Sequence, residues 1–321
     1  MIPGVRERMI STNGVQLRTL EAGTPGGPLV VLAHGFPELA FSWRHQIGVL
    51  AAAGYHVLAP DQRGYGGSSR PAEVDAYAID QLTADLIGLL DDAGVEKAAF
   101  VGHDWGSIVT WTLPLLYPQR VAAVAGLSGP PVPRPRRPPT DIWRDAAGAN
   151  FSYLLYFQQP GVADAELSRD TATTVRRVLA APHFDRDQLA TMQRPGPHGY
   201  VDRLPEPTEL PPWLPQDELD VYVGEFLRTG FTGALNWYRN FDRNWELTSR
   251  PPTSTITAPA LFIAGADDPV LTFTRTDRSR EVVTGPYREI IVPGAGHCIQ
   301  QERPDIVNAA LLDLLSTSTA S

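Results

Sequence analysis

A mostly parallel central sheet flanked by helices, interrupted by an inserted helical unit, is the α/β fold this sequence predicts. Three observations predict it. Short runs rich in Val, Leu, Ile and Ala recur with helical stretches between them, the pattern of buried parallel strands. The spacing then fails once, between Ser128 and Pro259, where aromatic-rich stretches of helical character replace the strand runs. Prolines, 30 in 321 residues and well above the usual share of ~5%, gather at both ends of that interruption.

Each element follows in chain order. Met9–Leu20 alternates apolar and polar residues and turns at Asn13-Gly14, a hairpin signal. Gly27–His34, Tyr55–Asp61, Lys97–His103 and Val121–Ser128 read as strands, with Ile79–Ala93 and Gly106–Tyr117 as helices between them, the second stopped by Pro118. Gly129-Pro130-Pro131-Val132-Pro133-Arg134-Pro135-Arg136-Arg137-Pro138-Pro139 opens the interruption and Arg250-Pro251-Pro252 closes it. Proline runs favour extended geometry and cannot lie inside a helix or a central strand. The residues between them include Phe151, Tyr153, Tyr156, Phe157, Trp213, Phe226, Trp237, Tyr238 and Trp245, too much aromatic surface for a solvated loop. Residues 130–250 are therefore expected to form a helical cap with proline-stiffened hinges. Residues 1–129 and 251–321 would form the sheet domain, which Pro259–Gly265 and Glu289–Pro293 complete as strands.

Charge and cysteine usage narrow the function. Lys and Arg number 27 against 36 Asp and Glu, and the resulting net charge of −9 argues against a nucleic-acid partner or an anionic membrane surface. Cys298 is the single cysteine, so no disulfide within the chain is possible and no Cys/His cluster offers zinc. The first residues lack the succession of a secretory signal, and no stretch has the ~20 apolar residues that span a bilayer. A cytoplasmic location is the expectation. Oligomeric state stays open, a homodimer included.

Chemistry concentrates at strand ends. Gly102-His103-Asp104-Trp105-Gly106 follows a strand and opens a helix, with glycines two before and two after the central residue. That is the strand–turn–helix geometry of a nucleophile elbow, with Asp104 at its centre in place of the usual serine. An aspartate capping a helix would suit the same string, so context separates the two. His34-Gly35-Phe36-Pro37-Glu38 follows an earlier strand where a loop N–H can face an oxyanion; the donors would be Phe36 and Trp105. Asp61-Gln62-Arg63-Gly64-Tyr65-Gly66-Gly67-Ser68 reads as a structural turn. Ala264-Gly265-Ala266-Asp267-Asp268-Pro269 leaves a later strand with two carboxylates, and Pro293-Gly294-Ala295-Gly296-His297 sets an imidazole in a glycine-rich loop. Acidic nucleophile, carboxylate and histidine thus appear in the chain order of α/β-hydrolases.

On these residues the chain resembles the epoxide hydrolases of the α/β-hydrolase fold, over nearly its whole length. The specific part lies in the cap. Phe151-Ser152-Tyr153-Leu154-Leu155-Tyr156-Phe157-Gln158-Gln159-Pro160-Gly161-Val162 is similar to the segment carrying one active-site tyrosine, and Asn236-Trp237-Tyr238-Arg239-Asn240 to the segment carrying the other. The resemblance implies these roles for Tyr153 and Tyr238, with Tyr156 left to packing. It favours Asp268 over Asp267 as partner of His297. Phe36, Pro37 and Trp105 would also touch substrate.

Such a set suits epoxide opening. An aspartate carboxylate, ionised at neutral pH, can attack a strained ring carbon and form an ester. Phenols, with a reference pKa of about 10, stay protonated and assist the departing oxygen far better than water can. His297 would then activate water to hydrolyse the Asp104 ester, releasing a vicinal diol with no cofactor or metal. The expected partners are a small apolar epoxide and water. The competing readings are a haloalkane or haloacid dehalogenase, which needs halide donors that Phe36 does not supply, and a non-catalytic ligand receptor on the same fold.

Overall fold

The computed structural model describes residues 2–180 and 192–318. Its first strands, β1 (Arg6–Thr12) and β2 (Val15–Ala22), pair antiparallel with Thr12 opposite Val15, leaving Asn13 and Gly14 as a two-residue loop. Both loop residues have positive φ, 43° and 74°, the requirement of a turn that matches strand twist. The hairpin reaches further at both ends than its apolar alternation suggests. The cause is Glu21, a buried carboxylate that pairs with Arg6 at 2.8 Å, Arg8 at 2.7 Å and His56 at 2.7 Å.

The remaining strands are β3 (Leu29–Ala33), β4 (His56–Pro60), β5 (Ala98–His103), β6 (Val121–Leu127), β7 (Ala260–Gly265) and β8 (Tyr287–Val292). The eight lie in the order β1-β2-β4-β3-β5-β6-β7-β8, parallel from β4 to β8. Successive residues of β3 alternate between two cores: Leu29, Val31 and Ala33 join one, Val30 and Leu32 the other. This explains why the inner strands are uninterrupted apolar runs, since a parallel sheet covered on both faces exposes neither side. β8 is the exception. It starts two residues before the run seen in the sequence because Tyr287 and Arg288 at its exposed edge carry no apolar signature.

One face is covered by α1 (Arg44–Ala52) and, near the C-terminus, α11 (Ile299–Glu302) and α12 (Pro304–Ser318); the other by α2 (Ile79–Ala93) and α3 (Trp105–Leu116). Neither α1 nor α12 stands out in the sequence. Buried Arg44 and Gln46 blur the apolar stripe of α1.

Between β6 and β7 the described residues hold helices and no strand: α4 (Pro139–Ala147), α5 (Tyr153–Tyr156), α6 (Val162–Arg169), α7 (Thr171–Ala180), α8 (Gln216–Thr229), α9 (Thr232–Arg239) and α10 (Phe241–Leu247). Phe157, Leu167, Tyr222 and Trp237 from this insertion share one core with β3, β5 and β7. Polar bonds pin it down as well: Trp237 Nε1 donates to the Arg63 carbonyl at 3.0 Å and Asn240 Nδ2 to the Val74 carbonyl at 2.7 Å. The proline arm is held too, with Arg134 over the Trp245 ring at 4.0 Å and Trp245 Nε1 donating to the Pro135 carbonyl at 2.8 Å. No helix among the described residues is long and apolar enough to cross a membrane.

Candidate active site

Asp104 sits between β5 and α3 with φ 52° and ψ −118°, a conformation that costs a non-glycine residue energy. Its neighbours make the turn possible. A Cβ on Gly106 would lie 2.0 Å from the Ala33 carbonyl oxygen, and one on Gly102 would lie 2.1 Å from that of Gly106, so only glycine fits at either position. Hydrogen bonds lock the turn: the Asp104 N–H donates to the Leu127 carbonyl at 3.1 Å, and Ser107 Oγ donates to the Asp104 carbonyl at 2.6 Å. The carboxylate stays in a partly open position. Its Oδ1 accepts from the Phe36 N–H at 2.8 Å, just beyond the end of β3.

His297 and Asp268 arrive from the ends of β8 and β7. The imidazole Nδ1 lies 3.0 and 3.1 Å from the two Asp268 carboxylate oxygens, which assigns the proton to Nδ1 and turns Nε2 toward Asp104 Oδ2 at 3.6 Å. Asp268 is 2% exposed and also accepts from the Val270 N–H at 2.9 Å, whereas Asp267 is exposed. Burial pushes the His297 pKa down, but Asp268 and Asp104 beside it outweigh that and hold it well above the ordinary value. Burial likewise disfavours the Asp268 charge, yet the imidazole and the Val270 N–H keep its pKa low.

Beneath Asp104, Asp268 and His297 lies a network that the sequence motifs did not single out. Glu38, buried, accepts from the Gly35 N–H at 3.0 Å, lies 2.6 Å from His103 Nδ1 and accepts from Gln300 at 2.8 Å and Gln301 at 3.1 Å. His103 Nε2 lies 2.8 Å from the His297 carbonyl, which also accepts from Ser128 Oγ at 2.7 Å. Burial opposes the Glu38 charge, but His103 and the Gly35 N–H draw its pKa down to about 2. Both residues stand inside the motifs quoted from the sequence; only their burial against one another distinguishes them from neighbours.

Two phenols complete the arrangement from above. Tyr153 begins α5 and Tyr238 lies on α9; their ring centroids are 6.4 Å apart, and both pack on Phe157 at 5.5 and 5.0 Å. Tyr238 also meets Phe36 at 5.5 Å and Trp105 at 5.1 Å. Neither hydroxyl has a hydrogen-bond partner among the described residues, and burial, with the Asp104 charge adding to it, raises both pKa values. Tyr156 behaves differently: its ring packs on Phe151 and Phe157, and burial with the Glu166 carboxylate lifts its pKa to about 12.

Asp104, His297, Phe36, Pro37, Tyr153 and Tyr238 line one cavity of ≈ 770 Å³, with Trp143, Phe151, Leu179, Trp213 and Phe273 among its walls. Trp105 is placed otherwise. Its indole is 2% exposed and wedged among Trp237, Tyr238 and Phe241, behind the wall rather than in it, so only its backbone N–H at the head of α3 can serve the site.

Residues 28–304 match the α/β-hydrolase fold family. Epoxide hydrolase A of Mycobacterium tuberculosis (strain ATCC 25618 / H37Rv) is 64% identical over 312 residues, covering 97% of each chain. Bifunctional epoxide hydrolase 2 of Sus scrofa is 38% identical over 305 residues, 95% of this chain and 54% of that longer one. The crystal structure of epoxide hydrolase A from Mycobacterium thermoresistibile superposes with a TM-score of 0.96 at 64% identity, over 97% of this chain and 98% of that one. An eight-stranded α/β sheet, an aspartate at the elbow and this degree of likeness agree: the chain belongs to the epoxide hydrolases of the α/β-hydrolase fold.

Proposed function

We propose that this enzyme adds water to an epoxide to give a vicinal diol through a covalent ester on Asp104. The observation that carries the reading is the division of labour between the two Asp104 oxygens. Oδ1 is held by the Phe36 N–H, while Oδ2 faces His297 and the cavity. Oδ2 attacks the ring carbon, the carbon–oxygen bond of the ring breaks, and Tyr153 and Tyr238 stabilise the oxygen as it leaves, one of them delivering the proton. Their raised pKa values support the assignment, because both phenols remain protonated at neutral pH.

Ester formation changes the base. The Asp104 charge is one of the groups that hold the His297 pKa up, and the ester is neutral, so alkylation lowers that pKa and readies Nε2 to take a proton from water. Water then adds to the Asp104 carboxyl carbon, and the negative charge builds on Oδ1, which the Phe36 N–H already holds at 2.8 Å, with the Trp105 N–H as the second donor in this reading. Each such donor is worth about 10²–10³ in rate. Asp268 orients the imidazole and balances its charge. Residues 130–250 act in this reading as a cap that carries the phenols, its proline arms limiting how far it moves. The partners are an apolar epoxide and water, in the cytoplasm.

Single turnover in water labelled with ¹⁸O tests the ester. Unlabelled diol is expected in the first turnover, since its new oxygen comes from Asp104; labelled diol at that stage would sink the proposal. Asp104→Ala should abolish turnover. His297→Gln should instead trap an adduct one substrate mass heavier by intact-protein mass spectrometry.

A further inference from the structure

Tyr200 lines the cavity, and no step of the reaction proposed above uses it. Its ring lies 5.3 Å from that of Tyr153, tilted by 36°, and meets Phe157 edge-on at 5.1 Å. The backbone beneath is fixed by Glu166, whose two carboxylate oxygens accept from the Tyr200 and Val201 N–H groups, each at 2.9 Å. Tyr200 is only partly buried, and its hydroxyl has no hydrogen-bond partner among the described residues, which leaves the group free for what enters the cavity. Burial, with Asp104 and Glu166 adding to it, raises the pKa, so the group stays a donor.

The departing ring oxygen has two donors already. Tyr153 and Tyr238 face each other, and Tyr238 reaches down to Phe36 beside Asp104, whereas Tyr200 lies against the Tyr153 ring and Phe157. Tyr200 thus borders the cavity beside the Tyr153 ring. We propose that Tyr200 is a substrate-binding residue that donates to an oxygen on the carbon adjoining the oxirane, which selects epoxides bearing an ether, hydroxyl or carbonyl group there. The inference rests on the function proposed above and names the substrate class for the same site.

A matched pair of substrates tests it: 2-(phenoxymethyl)oxirane and 2-(2-phenylethyl)oxirane, which differ only by a methylene in place of the ether oxygen. The wild-type enzyme should prefer the ether in kcat/KM. In Tyr200→Phe the ether-to-carbon ratio should fall about 5–10-fold, the worth of one neutral hydrogen bond, whatever loss the two substrates share. A ratio that changes by less than about twofold would overturn the assignment. The wild-type enzyme gives a second reading, since the diol from the ether should inhibit more tightly than the diol from its carbon analogue, and equal inhibition would count against the donor. If the wild-type enzyme turns over neither oxirane, the proposed reaction itself falls and takes this inference with it.

Discussion

His297 sits between two carboxylates, Asp268 at 3.0 Å and Asp104 at 3.6 Å, and their charges hold its pKa above the ordinary value. Asp268 is the largest of the influences that raise its pKa. In the proposed mechanism ester hydrolysis needs the neutral imidazole, so its rate should fall as pH drops through the imidazole pKa of the alkyl-enzyme. Asp268→Asn removes the raising charge. Its low-pH limb should accordingly move down by about one unit or more, while the maximal rate falls about 10³–10⁴-fold because tautomer and orientation are lost. Single-turnover hydrolysis of the trapped ester against pH measures both, and a limb that stays in place would show that Asp268 does not set the base. These two residues were legible as residue types at strand ends. Glu38 and His103 were not, because a buried pair is defined by burial and distance, neither of which a motif contains.

At the scale of elements, the insertion is fastened to the sheet domain through α1. Arg44 at the head of α1 ion-pairs with Glu218 of α8, donates to the Trp213 carbonyl at 3.1 Å and to Gln301 Oε1 at 2.6 Å, and Gln301 in turn donates to Glu38. The same residue thus touches the helical insertion and the support of the histidine loop. Replacing it with methionine leaves Glu218 without its cation and Gln301 with one bond fewer. Arg44→Met should lower unfolding free energy by about 3 kcal/mol, the low end for a buried pair because Glu218 keeps partial access to water. Urea denaturation checks the stability, and faster proteolysis within 130–250 should accompany the loss. Intact stability would show that apolar packing alone holds the two units together. The sequence indicated α2 and α3 nearly to the residue, since apolar periodicity and stop signals coincide there. It did not indicate α1, where Arg44 and Gln46 interrupt the stripe for the sake of contacts that only the folded chain provides.

For the whole molecule, the net charge of −9 neither draws in nor repels a neutral epoxide. The value of kcat/KM should therefore stay within about twofold as ionic strength rises from 0.02 to about 0.5 M, a range over which screening of exposed charges changes severalfold. A steep dependence in initial-rate assays would point to a charged substrate. The sequence by itself determined the sheet strands, the place of the insertion and the order of aspartate, carboxylate and histidine, because buried strands, proline boundaries and glycine-flanked turns leave local signatures. The surplus of 30 prolines marks those boundaries, and the structure shows their arm held by Trp245. Only the tertiary structure decided which groups meet: that Trp105 stands behind the cavity, that Glu38 and His103 carry the histidine loop, and that Tyr200 packs on Tyr153 in the cavity wall. The physical reason is that these depend on packing between segments 47 to 263 residues apart, and dispersion and hydrogen bonds of that reach leave no local pattern in the chain.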